Sequence, residues 1–284
     1  MSEMKGIFEG RRLVIATKHQ KEQVLRPLLE EALKVKVFVP ENLDTDLLGT
    51  FSGEVQRKED PLSTARKKCE LAMEMTGCDL AIASEGSFGS HPEAFFLPAN
   101  EEWLVFLDHK KGLEIYARHL SMETNFGGME FQSLEELTAF SQKVLFPSHG
   151  LILRPGAERI DELVKGITDQ KSLEECAAFL LKKYGKGYVE TDMRAFLNPT
   201  RMKVIAETAA KLLEKIQCCC PSCSSPGFAV TAMVAGLPCE WCGTLTRSPL
   251  AYEKTCSHCS FTERILHPHD KSTEDPMYCD RCNP

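Results

Sequence analysis

The stretch "RLVIATKHQKEQVLRPLLEEALKVKVFVP" (residues 12–40) decides the fold of the N-terminal part of the chain. Its two ends, residues 12–16 and 35–40, are short β-prone apolar runs, which predict two strands. Apolar residues between them recur at helical spacing, and Pro27 lies early in that run, where a helix tolerates proline best. A strand, a helix and a second strand predict a βαβ unit with parallel strands and a right-handed crossover.

The chain beyond residue 40 continues this alternation. We predict an α/β domain over residues 1–217, with a mixed sheet and flanking helices. The further predicted segments are a polar loop (41–60), a helix (61–77), a strand (78–83), a hairpin around "HKKG" (101–120), a helix (133–145), a strand (149–156) and a helix (198–216).

A carboxylate follows the third strand, in "ASEGSFGSHP" (83–92). We interpret this stretch as a turn that ends the strand and carries Glu85. Ligands bind at the carboxyl ends of strands in open α/β sheets, so Glu85 is the candidate catalytic residue. The alternative is an ordinary turn, since Ser, Glu and Gly are common in turns.

Cationic side chains lie at the start of one predicted helix and within the next. The turn after the first strand places Thr17, Lys18 and Lys21 at a helix N-terminus, which favours an anion. The second helix adds Lys68, although a basic run on a helix is often only its solvated face. If these groups meet Glu85, the lysines would bind phosphates and the carboxylate would hold Mg²⁺ or Mn²⁺.

A third polar group lies in "YVETDMRAFLNPTRM" (188–202). Asn198 and Pro199 are typical of an N-cap and a first-turn proline. Arg194 and Arg201 are further candidate phosphate-binding residues. The alternative for this group is an ion-pair cluster on the surface.

The N-terminal motifs resemble those of the inosine/xanthosine triphosphatase family over residues 11–90. That family has a T-N-x-x-K turn, a G-A-x-x-R-A helix and an E-G-G turn. The matching residues here are Thr17, Lys21, Ala65, Lys68, Glu85 and Gly86, where Lys68 stands for the Arg. Lys18, Thr64 and Ser87 depart from the pattern. The resemblance implies a triphosphatase-like fold and metal-dependent hydrolysis of a nucleotide.

The whole chain also resembles an uncharacterised bacterial family with a placeholder domain name. The shared stretches are "ATKH", "ASEGSFG", "ETDMRA" and the cysteine-rich tail. This resemblance implies no activity, and it indicates that the two parts of the chain belong together.

Cysteines mark a second part of the chain, which we predict to be a zinc-ribbon-type module over residues 218–284. Ten of the 13 cysteines lie between Cys218 and Cys282, eight of them in four C-x-x-C pairs separated by 15, 13 and 19 residues. The pairs are Cys220/Cys223, Cys239/Cys242, Cys256/Cys259 and Cys279/Cys282. Two such pairs complete a closed tetrahedral Cys₄ site, so we predict two structural zinc ions.

The cysteines of this module have alternative interpretations. Stable disulfides are disfavoured because the polar start of the chain is no signal peptide, and a redox motif would occur once rather than four times. Each C-x-x-C pair forms a turn called a knuckle. Which two knuckles share a zinc ion stays open: the pairing is either sequential, first with second and third with fourth, or crossed. Cys218 and Cys219 are spare, and we interpret His258, His267 and His269 as surface residues and His149 as a packed or surface residue.

Charge disfavours one class of partner. The net charge is -7, and residues 218–284 carry five Lys or Arg against seven Asp or Glu. Phosphate backbones require clustered cations, so nucleic acid is an unlikely partner and a protein contact of the module fits better. No apolar run approaches a membrane span, and we expect a soluble, cytoplasmic protein without membrane contact.

Together these features predict a metal-dependent hydrolase of a nucleotide or another phosphorylated small molecule, with structural zinc. The alternative is a non-catalytic ligand-binding or scaffold protein that uses the zinc module for protein contacts.

Overall fold

This computed structural model of the protein describes residues 6–41, residue 43 and residues 60–284. The described chain contains two compact units, Gly6–Leu213 and Glu214–Pro284. The first has two sheets and flanking helices, which confirms an α/β fold with a mixed sheet. The polar loop predicted over residues 41–60 lies outside the described residues, apart from residues 41, 43 and 60.

The first sheet contains β1 (Arg12–Ala16), β2 (Lys36–Phe38), β3 (Leu80–Ser90), β4 (Pro98–Asp108) and β5 (Leu113–Ser121). Their order is β2-β1-β3-β4-β5. β1 pairs in parallel with β2 and with β3, as the predicted βαβ unit requires. The β3–β4 and β4–β5 pairs are antiparallel, and the second of them is the hairpin predicted around residues 109–112.

Helices α1 (Glu22–Leu33) and α2 (Pro61–Thr76) pack against this sheet. Asp60 is the N-cap of α2, because its side chain accepts a hydrogen bond from the N–H of Ser63. The helix ends at Gly77, which adopts a left-handed conformation. The apolar face of α2 packs on alternate residues of β1 and β3, in a core with Val14, Ala16, Ala81 and Ala83.

The second sheet of this unit is antiparallel throughout. It contains β6 (Gly128–Phe131), β7 (Leu151–Arg154), β8 (Val164–Ile167) and β9 (Gly187–Thr191), in the order β6-β9-β7-β8. Helices α3 (Leu134–Lys143) and α4 (Gln170–Tyr184) share one apolar core with it.

Helix α5 (Pro199–Gln217) follows β9 after a short 3₁₀ turn, Ala195–Leu197. The side chain of Asn198 accepts a hydrogen bond from the N–H of Arg201 at 2.9 Å. The predicted N-cap at Asn198 and first-turn proline at Pro199 are therefore confirmed.

The second unit contains a small antiparallel sheet of β10 (Val230–Ala235), β11 (Pro249–Thr255) and β12 (Thr262–Leu266). One knuckle, Cys256–Cys259, forms the turn between β11 and β12, and the other three lie outside the strands. In none of the described segments is a helix long and apolar enough to cross a bilayer.

Candidate functional site

Glu85 lies inside strand β3, which extends to Ser90. The prediction of a turn over residues 83–92 is therefore wrong for residues 83–90. β3 continues to Ser90 because β4 pairs with it over its whole length, with Glu85 opposite Trp103. The parallel neighbour β1 ends earlier, at Ala16 opposite Ala83. Glu85 therefore lies two residues beyond the carboxyl end of β1, where a site is expected in an α/β sheet.

Lys68 from α2 reaches this point of β3. Its ammonium group contacts Glu85 Oε1, and the two residues are 8% and 5% exposed. Lys68 therefore does not belong to a solvated helix face. The contact neutralises both charges in a region with little water, which is the condition for burying a lysine and a carboxylate.

Lys21, at the start of α1, is the second buried lysine. Its Nζ donates to the hydroxyl of Ser84 at 2.8 Å and approaches the Ser84 carbonyl oxygen at 3.3 Å. Burial lowers the pKa of Lys21 from 10.5 to about 7, and the positive charge of Arg201 adds to the effect. Lys21 therefore titrates near neutral pH.

Arg201, at the start of α5, forms a fully buried ion pair with Glu102 on β4, with 2.7 Å between Nε and Oε1. Its guanidinium group also donates to the Met193 carbonyl oxygen. Gly86, opposite Glu102 in the ladder, leaves the space that this pair occupies. The glycine after Glu85 is thus explained by close packing, not by a turn.

The other candidate phosphate-binding residues lie in different environments. Thr17 is buried and accepts a hydrogen bond from the His19 N–H at 3.2 Å, while Lys18 is exposed. Arg194 makes two parallel hydrogen bonds to the Asp192 carboxylate, at 3.0 and 2.5 Å, and its guanidinium group lies 5.2 Å from the ring centre of Phe196.

The surface alternative for residues 188–202 is wrong, because Asp192, Asn198 and Arg201 are buried. His149 is buried too, and its imidazole bonds the hydroxyls of Ser148 and Thr200. Burial lowers the pKa of His149, in agreement with its interpretation as a packed residue.

Three polar residues at this site were not predicted: Ser84, Asn100 and Glu102. In "NEEWLVF" (100–106), Asn100 and Glu102 alternate with the same period as Leu104 and Phe106. A strand of period two directs all four to one face, so polar side chains at inward positions were the available signal.

The eight knuckle cysteines gather into two groups of four in the second unit. One consists of Cys220, Cys223, Cys256 and Cys259, and the other of Cys239, Cys242, Cys279 and Cys282. The sulfur atoms of each group lie within 4.8 Å of one another. The first pair therefore joins the third, and the second joins the fourth, which decides the pairing that the sequence left open in favour of the crossed arrangement.

The spacing of the sulfurs suits a tetrahedral metal ion. The Sγ–Sγ distances are 3.7 Å (Cys220–Cys259), 3.6 Å (Cys223–Cys256), 3.9 Å (Cys239–Cys282) and 3.6 Å (Cys242–Cys279). A regular tetrahedron with Zn–S bonds of about 2.3 Å has edges of about 3.8 Å. Both groups could therefore hold a metal ion such as zinc.

Three of the knuckles share one backbone conformation. In all four knuckles the residue after the second cysteine donates its N–H to the carbonyl of the first: Ser224 to Cys220, Gly243 to Cys239, Ser260 to Cys256 and Asn283 to Cys279. Ser224, Gly243 and Ser260 also adopt the left-handed conformation. These three residues have φ values of 57°, 68° and 60°. The backbone thus presents each pair of sulfurs on one side of a tight turn.

The remaining polar groups of the module match their interpretation only in part. His258 and His269 are exposed, whereas His267 is half-buried and its Nδ1 lies 2.8 Å from the Lys271 carbonyl oxygen. Cys218 packs against the apolar cluster that contains Cys220 and Phe228.

A family model described as "Domain of unknown function (DUF6671)" matches residues 68–284, more than half of the chain. The chain belongs to this family. The expected membership of an uncharacterised family is thereby confirmed, and the matched range includes Glu85 and all eight knuckle cysteines. No curated protein matches the chain. The DUF6671 description names no activity.

Proposed function

We propose that this DUF6671 protein is a metal-dependent hydrolase of a nucleotide or another phosphorylated small molecule. The observation that carries the proposal is a set of buried charges on the two faces of β3 and β4: Lys68 pairs with Glu85 on one face and Arg201 pairs with Glu102 on the other. The charge of Lys21 interacts with both pairs. Among the residues that the structure describes here, three cations stand against two carboxylates, which leaves one positive charge when Lys21 is protonated. A buried excess of positive charge is stabilised by an anion.

Phosphate groups are the anions that this cluster suits best. Lys21 is the N-cap residue of α1, where N–H groups of the first turn point toward a ligand, and Lys68 lies about two turns into α2. Thr17 and the exposed Lys18 would complete the phosphate contacts. Arg201 and Arg194 remain candidates, but each already binds a carboxylate, so their proposed role is to position the site.

Glu85 would hold a Mg²⁺ or Mn²⁺ ion, which neutralises phosphate charge and lowers the pKa of bound water. The residues fit this role because Mg²⁺ is commonly bound through one or two carboxylates together with substrate phosphates. When a phosphorylated ligand binds, Lys68 would exchange its contact with Glu85 for a contact with phosphate. The Glu85 carboxylate would then contribute an oxygen to the metal ion.

The fold that we propose for residues 1–217 is that of the inosine/xanthosine triphosphatase family. Support comes from the order of β1, α1, β2, α2 and β3, followed by the antiparallel hairpin. For residues 218–284 we propose a module with two structural zinc ions. Each would be closed by four thiolates, which leaves no open position for catalysis.

A scaffold function is the second candidate, and exposed apolar side chains of the module favour it. Trp241 lies between Cys239 and Cys242 and is 75% exposed, and Met277 and Tyr278 directly precede Cys279 and are also exposed. Because these knuckles belong to one Cys₄ group, all three side chains are carried by chain segments that supply ligands to the same site. An exposed aromatic group of this kind suits a protein contact.

The test of the hydrolase is the release of phosphate and pyrophosphate by the zinc-loaded chain, with Mg²⁺ or Mn²⁺, from a panel of common and deaminated nucleotides. We expect turnover that Glu85→Gln abolishes. Glu101→Gln is the matched control, because Glu101 is a half-buried carboxylate on the adjacent strand that pairs with Arg118. It should retain turnover.

The folded state of both variants has to be verified by thermal unfolding, since Glu85→Gln leaves the charge of Lys68 without its carboxylate. Turnover retained in folded Glu85→Gln would reject the catalytic assignment. No turnover on any nucleotide, combined with measurable nucleotide binding, would favour the scaffold function.

A further inference from the structure

Asn100 has a buried side-chain amide that makes no hydrogen bond with the described residues. It lies on β4 and is 1% exposed. Within residues 6–41, 43 and 60–284, neither its Oδ1 nor its Nδ2 has a hydrogen-bond partner. Native proteins pair almost all buried side-chain amides, so an unpaired one indicates a missing ligand or water. Asn100 offers one acceptor and two N–H donors to such a ligand.

Glu102 adds a further buried acceptor beside Asn100. It lies two residues further along β4, on the same face of the strand, and is fully buried. Its Oε1 accepts from Arg201, whereas Oε2 has no hydrogen-bond partner among the described residues. Glu102 Oε2 therefore offers an acceptor, and the neighbouring Asn100 amide offers both a donor and an acceptor.

An aromatic surface adjoins the Asn100 side chain. Phe88 lies directly opposite Asn100 in the β3–β4 ladder, where facing side chains of neighbouring strands touch. The Phe88 ring stacks with Phe126, with centroids 5.8 Å apart and planes inclined by 28°. The guanidinium group of Arg201 lies 5.1 Å from the Phe88 ring centre. Phe126 is 40% exposed.

The distance to the proposed phosphate site suits a nucleotide. Phe88 lies three residues beyond Glu85 on one strand, about 10 Å away at roughly 3.3 Å per residue. Ser84 shares a face of β3 with Phe88, so Lys21, which binds Ser84, lies on the side of the proposed base, whereas Glu85 and Lys68 lie on the other face. A base at Phe88 and a phosphate at Lys21 would lie at the two ends of one extended ligand. To reach Lys68, that ligand would pass the edge of β3 that β1 leaves unpaired beyond Ala83.

We propose that Asn100 and Phe88 form a nucleobase subsite. The base stacks on Phe88 in the place of Phe126, and its edge bonds to the Asn100 amide and to Glu102 Oε2. A nucleobase is the ligand class that combines a planar ring with adjacent donors and acceptors on one edge. The subsite rests on the proposed function for its phosphate half, while the base contacts depend only on Asn100, Glu102 and Phe88.

The test compares ligands with and without a base. Binding of ATP, GTP, ITP, UTP, inorganic tripolyphosphate, ribose 5-phosphate and the free nucleosides is measured by calorimetry on the zinc-loaded full chain, without added Mg²⁺. We expect at least one nucleotide to bind at least tenfold more tightly than tripolyphosphate. Asn100→Leu should reduce that preference to less than threefold and leave tripolyphosphate affinity unchanged.

Asn100→Leu should also keep or raise the melting temperature, because a leucine of similar size removes the unpaired amide. If this variant fails to fold, Phe88→Leu tests the same subsite and should also lose the nucleotide preference. Equal affinity for nucleotides and tripolyphosphate, or ribose 5-phosphate that binds as tightly as nucleotides, would overturn the subsite and leave the phosphate site standing. Nucleosides that bind in an Asn100-dependent way, without binding of tripolyphosphate, would support the base subsite and reject the phosphate site.

Discussion

Arg201 and Glu102 form an ion pair between the start of α5 and β4, with 2.7 Å between Nε and Oε1 and no exposure of either side chain. Gly86 lies against this pair. A Cβ atom at Gly86 would clash with Glu102 Oε1 and lie 2.6 Å from Arg201 Nη2. The pair thus explains why a central strand carries a glycine next to the candidate catalytic residue.

Gly86→Ala should destabilise the first unit by about 2–3 kcal/mol, because the new methyl group pushes a buried ion pair out of register. Gly89→Ala is the matched control on the same strand, since nothing lies within 4 Å of a Cβ there. This control should be neutral or stabilising by up to about 1 kcal/mol. Urea unfolding of the two variants measures the difference, and equal free energies would contradict the close packing at Gly86.

The pair itself should behave as a unit. Arg201→Met or Glu102→Leu alone should cost about 3–5 kcal/mol, because each leaves a buried charge without its partner, whereas the double variant should be much closer to the wild type. The exposed pair Lys203–Glu123, at 2.6 Å, is the control, and its variants should change stability by less than about 1 kcal/mol. Additive effects of the two buried substitutions in a double-mutant cycle would contradict the coupling.

Local patterns predicted the elements that begin the fold. The βαβ unit, α2 and the β4–β5 hairpin each follow from strand or helix periodicity within one segment. Helix α4 is absent from the predictions, although Asp169 as N-cap, the spacing of Leu173, Ala177 and Leu180, and Gly185 at the C-terminus are typical helix signals.

Long-range pairing explains what the sequence could not show. The length of β3 depends on β4, and "SEGSFG" is rich in turn residues, so its own composition favours a turn over a strand. The knuckle pairing depends on contacts across 33–43 residues, and the spacing of the cysteines fits both arrangements. The burial of Glu102 is set by Arg201, 99 residues away.

The crossed pairing predicts which cysteines are lost together. Cys220→Ser with Cys256→Ser changes only one Cys₄ group and should leave about one zinc ion per chain. Cys220→Ser with Cys239→Ser changes both groups and should leave none or a weakly held fraction. Native mass spectrometry of the two double variants measures the stoichiometry, and the reverse outcome would indicate sequential pairing.

Stability should depend on pH through Lys21. Its pKa falls from 10.5 to about 7 on folding, so between these pH values the unfolded chain binds the extra proton. The free energy of unfolding should therefore rise with pH in this window, by up to about 1.4 kcal/mol per pH unit from this group. Lys21→Met should remove that slope and be more stable than the wild type at pH 7. Parallel pH profiles of the two proteins would contradict the lowered pKa.

Anion binding should have the opposite pH dependence, because only the protonated Lys21 attracts phosphate. The neighbouring charges of Lys68, Arg201, Glu85 and Glu102 are the same in the wild type and in Lys21→Met, so the ratio of their tripolyphosphate affinities isolates Lys21 and cancels the titration of the ligand. We expect this ratio to be largest near pH 6 and to fall by up to about tenfold per unit as the pH rises above 7, the pKa of Lys21. Calorimetric titrations at pH 6, 7, 8 and 9 measure it. A ratio that stays high and constant to pH 9 would mean that Lys21 remains charged in the folded protein, and a ratio near one at pH 6 would exclude Lys21 from the phosphate site.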